Sequence, residues 1–169
     1  MQRRRDPLIN PEPLIRRVYS YAAYRLGDGA DAEDATSETL ERALRYRQSY
    51  DPRAGSAQAW LLGIARRVVD DHLSRARTLV NCGSDADVAG DDELSSEAIE
   101  RLSLRSALAA LAQDERDLLA MRYGADLTAR DIARITDTRV NTVEVALHRV
   151  LAKLRESMDA SSLAQKKDA

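Results

Sequence analysis

The chain has 169 residues, with 26 Lys and Arg against 28 Asp and Glu and 44% apolar residues, enough for one ordinary domain or two small ones around a buried core. Seven Gly, four Pro, six Tyr, one Trp and no Phe are too few turn-formers and aromatics for a many-stranded β fold. The single cysteine, Cys82, excludes an internal disulfide framework. His72 and His148 stand far apart with no supporting ligands, so neither a metal nor a cofactor is expected. No apolar run approaches the ~20 residues of a membrane span. The basic start MQRRRDPLINPEP lacks the apolar stretch of a secretory signal, which makes the cytoplasm the expected compartment.

Residues 1–13 read as a flexible basic N-terminus closed by Pro11 and Pro13. From Leu14 the apolar residues Leu14, Ile15, Val18, Tyr21, Ala22 and Leu26 recur at helical spacing, and Gly27 is suited to a C-cap. Asp31 or Asp34 is suited to cap a second helix carrying Ala35, Leu40, Ala43 and Leu44. Its acids fall early and Arg42, Arg45 and Arg47 late, matching the helix dipole. Asp51–Gly55 reads as a loop by its turn chemistry. A long helix is expected from Ser56 to Arg77, with Trp60, Leu61, Ile64, Val68 and Leu73 on one face and Trp60 as a core anchor.

Residues 78–96 lack periodicity and are rich in small and acidic residues, the composition of a flexible linker. Helical pattern resumes near Ser96 through Leu102, Leu104, Leu108 and Leu111, and again through Leu118, Leu119, Met121 and Tyr123, with Gly124 as a helix end. Thr128-Ala-Arg-Asp131 has the form of a capping box before a short helix, Ala129–Ile135. A last helix runs from about Val140 to Ser157 with the stripe Val140, Val143, Leu147, Leu151 and Leu154. Residues 158–169 read as a disordered tail. The fold class expected is therefore all-α: two small helical domains, 14–77 and 97–157, joined by a flexible acidic linker.

Charge follows the same division. Residues 1–77 carry 14 Arg and 11 acids, residues 78–100 carry seven acids and no Lys or Arg, and residues 101–169 carry 12 basic and 10 acidic residues. Two mildly basic blocks flank an acidic strip. Basic blocks suit phosphate contact.

Residues 127–155 form the most specific local pattern. A helix of about seven residues, a short turn and a longer helix with polar residues in its first turns have helix-turn-helix geometry. The apolar stripe would face the core, leaving Arg139, Asn141, Thr142, Glu144, Val145, His148 and Arg149 on or beside the exposed side. A helical hairpin with a solvated face fits the same pattern, and the turn lacks the glycine that many such motifs carry.

With these residues in place the chain resembles the extracytoplasmic-function group of bacterial sigma-70-type sigma factors. The N-terminal likeness rests on Asp31-Ala-Glu-Asp34-Ala-Thr-Ser-Glu38-Thr-Leu-Glu-Arg42, Tyr50-Asp-Pro-Arg-Ala-Gly55 and Ala59-Trp60-Leu61-Leu-Gly-Ile64-Ala65-Arg66. The C-terminal likeness rests on Ala107–Leu111, Glu115–Tyr123, Leu127-Thr, Asp131-Ile-Ala133, Val140-Asn-Thr-Val143, Leu147-His-Arg149 and Lys153-Leu-Arg155. Together these cover most of residues 14–157.

The resemblance implies a region 2 over residues 14–77 that binds the β′ clamp helices of core RNA polymerase and reads the −10 promoter element. It implies a region 4 over residues 97–157 that binds the β flap and reads the −35 element. The acidic linker would thread toward the RNA exit path. The family's clamp-binding face maps onto Asp34, Glu38 and Arg42; Ser37 stands where the family usually has Gln. The −10 contacts map onto Tyr50, Arg53, Gly55, Ser56, Arg66, Arg67, Asp71 and Arg75, with His72 on the same helix, and the loop 51–57 matches the segment that captures a flipped base. Arg67 replaces a common family Asn, which favours phosphate contact.

The −35 contacts map onto Arg139, Asn141, Thr142, Glu144, Val145, His148 and Arg149. Glu144 and Ala146 stand where basic residues are common, so altered or weaker −35 readout is expected. An anti-sigma protein is a further partner the family often has. The function implied is promoter-specific transcription initiation by a dissociable, non-enzymatic subunit. A stand-alone helix-turn-helix regulator explains residues 127–155 only. A helical adaptor, or an enzyme with an unrecognised site, explains neither motif set.

Overall fold

A computed structural model describes residues 6–81 and 96–167, with side chains over 6–78 and 103–160. Residues 82–95, which are most of the expected linker and include Cys82, lie outside the described residues. Helix α1 (Pro11–Leu26) begins three residues before Leu14: Pro11 sits at its first position, where a missing N–H costs nothing. Gly27 closes it at φ +93°, its N–H donating to the Ala23 carbonyl at 3.0 Å. Helix α2 (Ala30–Tyr46) is entered from Gly29 at φ +129°, so neither Asp31 nor Asp34 caps it. Asp31 and Glu33 instead lie in the first turn, where the dipole favours a negative charge.

A short 3-10 turn, Arg47–Ser49, leads to the loop before α3 (Ala57–Asn81). The Ser56 hydroxyl accepts the Ala59 N–H at 3.1 Å, satisfying one donor at the start of α3. The helix extends to Asn81, beyond Arg77.

Helix α4 (Ser96–Ala109) is separated from α5 (Gln113–Leu119) by a break at which the Glu115 carboxylate accepts the Ala112 N–H at 3.0 Å. A π turn, Ala120–Gly124, continues α5. Then come α6 (Ala129–Ile135) and α7 (Val140–Lys167). The Thr128 hydroxyl accepts the Asp131 N–H at 3.2 Å and donates to the Asp131 carboxylate at 2.7 Å, so one half of the expected capping box is present, with the Asp131 carboxylate turned to the Thr128 hydroxyl. Between α6 and α7, Asp137 adopts φ +52°. An aspartate tolerates this left-handed conformation better than most side chains, and so supplies the turn for which a glycine was missing. Residues 158–167 continue α7 instead of forming a disordered tail. Ala, Leu, Gln and Lys dominate there and no Pro or Gly interrupts the helix.

The three N-terminal helices pack on one another, and Val18, Tyr21 and Ala22 of α1 meet Ala32, Ala35 and Ala43 of α2 and Leu61, Leu62, Ala65, Val68 and Val69 of α3. The same buried cluster continues into Leu118, Ala120, Met121, Ala125, Leu127, Ile132, Ala133 and Val143. A smaller cluster, Ala107, Leu111, Leu119, Val150 and Leu154, holds α4 and α5 on α7. The two helical groups therefore sit against each other, α1 on the π turn and α3 on α6.

Candidate nucleic-acid interface

Three surfaces collect the residues singled out in the sequence. The first is formed by α2 and α3. Glu38 pairs with Arg42 one turn on, Arg42 reaches the Asp71 carboxylate at 3.0 Å, and His72 Nε2 lies 3.1 Å from Glu38 Oε2. Asp34 is exposed one turn before Glu38. Asp71, mapped with the −10 residues, is thus turned toward α2 and belongs to this network. Burial alone would raise the Glu38 pKa. The hydrogen bonds from His72 and Arg42 outweigh it and hold the carboxylate below its ordinary value.

Such a depressed group contributes stability that is present above the unfolded carboxylate range, near pH ~4.3, and is lost as pH falls through the folded value. Glu38→Gln is expected to cost about 0.5–1 kcal/mol at pH 7. Urea denaturation should show that gap narrowing at pH 3; an equal gap at both pH values would contradict the assignment.

The second surface is a cleft of about 650 Å³ lined by Tyr50, Gly55, Trp60, Arg66, Arg67 and Arg134, among others. The Tyr50 hydroxyl donates to the Gly55 carbonyl at 3.2 Å, and the Tyr50 and Trp60 rings lie 5.7 Å apart at 57°. Trp60 is half-buried, so it is a cleft wall as well as a core neighbour. Arg53 and Ser56 stand exposed on the loop beside the cleft, and Arg75 is exposed further along α3. The Asp51 carboxylate accepts the Arg53 N–H at 3.0 Å, which shapes that loop. Aromatic faces next to guanidinium groups offer stacking and phosphate contact to a single strand.

Behind this cleft lies a charge cluster with no sequence signal. Asp117 is 3% exposed. Its Oδ1 accepts the Tyr21 hydroxyl at 2.6 Å and lies 3.1 Å from Arg25 Nη1, and its Oδ2 accepts Arg66 Nε–H at 2.6 Å. The Arg25 side chain is 2% exposed and also reaches Asp70 at 3.4 Å. Burial pushes the Tyr21 phenol well above its ordinary pKa, and the Asp117 charge adds to the shift. Burial raises the Asp70 carboxyl too, with Asp117 pushing the same way and Arg25 opposing. Arg66 is thus committed to an internal partner 51 positions away, a separation over which no local pattern operates.

The third surface is the start of α7. Arg139, Asn141, Thr142, Glu144, Val145, His148 and Arg149 are all exposed. Val143 and Val150 are buried, and Ala146 and Leu147 pack half-buried against the core. Val140, read as part of the buried stripe, is instead exposed at the helix start. No group of three or more metal-ligating side chains occurs among the described residues, and none of their helices is long and apolar enough to cross a membrane.

Residues 12–87 match Sigma-70 region 2 and residues 101–154 match Sigma-70, region 4. The ECF RNA polymerase sigma factor BldN of Streptomyces coelicolor is 35% identical over 147 residues, covering 81% of this chain and 55% of BldN. The ECF RNA polymerase sigma factor SigL of Mycobacterium tuberculosis is 32% identical over 143 residues, covering 82% of this chain and 80% of SigL.

Among solved structures, the sigma factor RpoE in complex with the anti-sigma factor NepR from Bartonella quintana aligns with a TM-score of 0.67 at 19% identity, covering 86% of this chain and 92% of RpoE. CnrH in complex with the cytosolic domain of CnrY aligns with a TM-score of 0.60 at 20% identity, covering 88% and 82%. At those identities the two structures establish the shared fold. With both regions matched in order and relatives above 30% identity, the chain belongs to the extracytoplasmic-function group of sigma-70 family sigma factors, the proteins that direct RNA polymerase to promoters.

Proposed function

We propose that this chain is a dissociable, non-enzymatic specificity subunit that acts in the cytoplasm and divides its work among the three surfaces. Asp34, Glu38 and Arg42 meet the β′ clamp helices of core polymerase. The cleft around Tyr50, Gly55, Trp60 and Arg67 takes the opened −10 strand, with Arg53, Ser56, Arg66 and Arg75 contributing along its approach. The exposed face of α7 reads −35 DNA while the other side of the C-terminal helices meets the β flap. An anti-sigma protein is a further partner in this reading, as NepR is for RpoE.

The observation that carries the proposal is the α7 face: six of the seven candidate reading residues are exposed on a helix whose opposite side is packed into the core, and the seventh, Arg139, is exposed just before its first turn. That is what a helix laid in a major groove requires.

Transcription in vitro with core polymerase and this protein on a randomised promoter library tests the reading. Enrichment of paired −35 and −10 sequences is the expected result, with poor binding of the same duplexes by the chain alone, because its net charge is only −2. Selection of a palindromic operator bound tightly without polymerase would favour a stand-alone regulator. Absence of any selection would overturn the proposal.

A further inference from the structure

Beside the −10 cleft lies a second, smaller pocket of about 270 Å³, lined by Arg42, Arg45, Tyr46, Ile64 and Arg67. Tyr46, Ile64 and Arg67 line the cleft as well, so the two share a wall. The cleft lining includes Asp51 and Asp70, whereas that of the small pocket holds no carboxylate. Arg42 is offset by Glu38 and Asp71. Among the described residues, Arg45 and Arg67 have no ion-pair partner. Tyr46 is the last residue of α2 and is 54% exposed. The Ser49 hydroxyl donates to its carbonyl at 2.7 Å and fixes the helix end there.

We propose that this pocket takes a second nucleotide of the −10 strand, its base on the Tyr46 ring and its phosphates between Arg45 and Arg67, next to the nucleotide held in the cleft. This rests on the reading of the cleft given above.

Each part follows from the lining. Guanidiniums gathered at one pocket without a carboxylate repel one another, and a phosphate between them relieves that repulsion. A half-exposed phenol ring beside the apolar Ile64 side chain offers a flat, partly dry surface, on which any base stacks. An acidic peptide would satisfy the cations and leave the ring unused. A free nucleotide has the same chemistry as one in a strand. The shared wall favours the strand, because once one unit is held in the cleft its neighbour reaches the pocket as an intramolecular step. Arg67, which lines both, then stands at the linkage that joins the two nucleotides.

The test uses holoenzyme assembled from core polymerase and the full chain, with a fluorescent single-stranded oligonucleotide of the selected −10 sequence. One abasic site, which removes a base and keeps its phosphate, is moved along the oligonucleotide. Wild-type affinity is expected to fall about tenfold at each of two adjacent positions, one for the cleft and one for the pocket. Tyr46→Ala should weaken the intact strand about tenfold and erase the abasic penalty at one of those positions only, and Tyr46→Phe should restore both. Arg45→Gln should weaken every oligonucleotide alike and reduce the salt slope by about 0.7, the single-strand value for one phosphate contact. Both residues are exposed, and circular-dichroism melts with a polymerase-binding control check that fold and docking are kept. Arg42 is left unchanged because it belongs to the clamp-facing network.

An abasic profile that Tyr46→Ala leaves unchanged overturns the second pocket, while its sensitive positions keep the cleft reading. A profile with no sensitive position overturns the cleft reading, and the pocket with it. Free deoxynucleoside monophosphates are titrated in a separate arm. Micromolar binding that Tyr46→Ala abolishes, with the abasic profile unmoved, overturns the strand assignment in favour of a free nucleotide.

Discussion

Asp34→Lys combined with Glu38→Lys is expected to weaken binding to core polymerase by about a hundredfold or more, since like-charge juxtaposition across an interface costs several kcal/mol. The two residues lie one turn apart on α2, so they share a side. They differ in their ties to the fold. Asp34 is exposed, whereas Glu38 is held by Arg42 and His72. The second substitution therefore also places a lysine one turn from Arg42, at a cost of about 0.5 kcal/mol in stability. Asp34→Lys alone separates the two effects: its melting temperature should match the wild type while its polymerase affinity falls. Fluorescence anisotropy with labelled chain and core polymerase measures this, and undiminished affinity in the double variant would remove α2 as the docking face.

Arg149→Ala is expected to reduce −35-dependent initiation by about 1–3 kcal/mol, concentrated at one base pair if the guanidinium pairs bidentately with guanine. Arg149 is exposed one residue before the buried Val150, which anchors α7 on α4 and α5, so its removal should leave the fold unchanged. Glu144, exposed on the same helix, gives the internal comparison. If it accepts from a cytosine amino group, Glu144→Ala changes the preferred base at one position. If it only repels phosphate, Glu144→Lys strengthens all promoters together and steepens the salt dependence. Transcription from a −35 substitution series distinguishes these outcomes. Unaltered preference and output in all three variants would leave region 4 as a polymerase-binding element alone.

The α7 face was legible because a 3.6-residue period records which side of a helix is buried, and that period survives in Val143, Leu147 and Leu154. The same rule misplaced Val140, where the helix has only begun and the core does not yet reach. It also made Trp60 a core anchor and left its cleft side unread, since periodicity separates faces but not a packed wall from the rim of a cleft. Gly124 read as a helix end and is the last residue of the π turn, but the reason it is glycine is that α1 approaches too closely for a side chain. That is a fact of tertiary packing with no local signature. Asp117 was invisible as a site for the same reason. Tyr21, Arg25 and Arg66 each look like ordinary members of their own helices, and only the packed chain brings them around one carboxylate.

Trp60 has a use that its role as a cleft wall does not exhaust. It is the sole tryptophan in the chain, 5.7 Å from the Tyr50 ring and at the place where Arg66, Arg67 and Arg134 converge. Indole absorbs at wavelengths that tyrosine does not, so red-edge excitation draws light from this one place and nowhere else in the protein. The molecule thus carries its own optical reporter at the cleft, and stopped-flow emission follows strand entry and cleft exposure in time without any added dye.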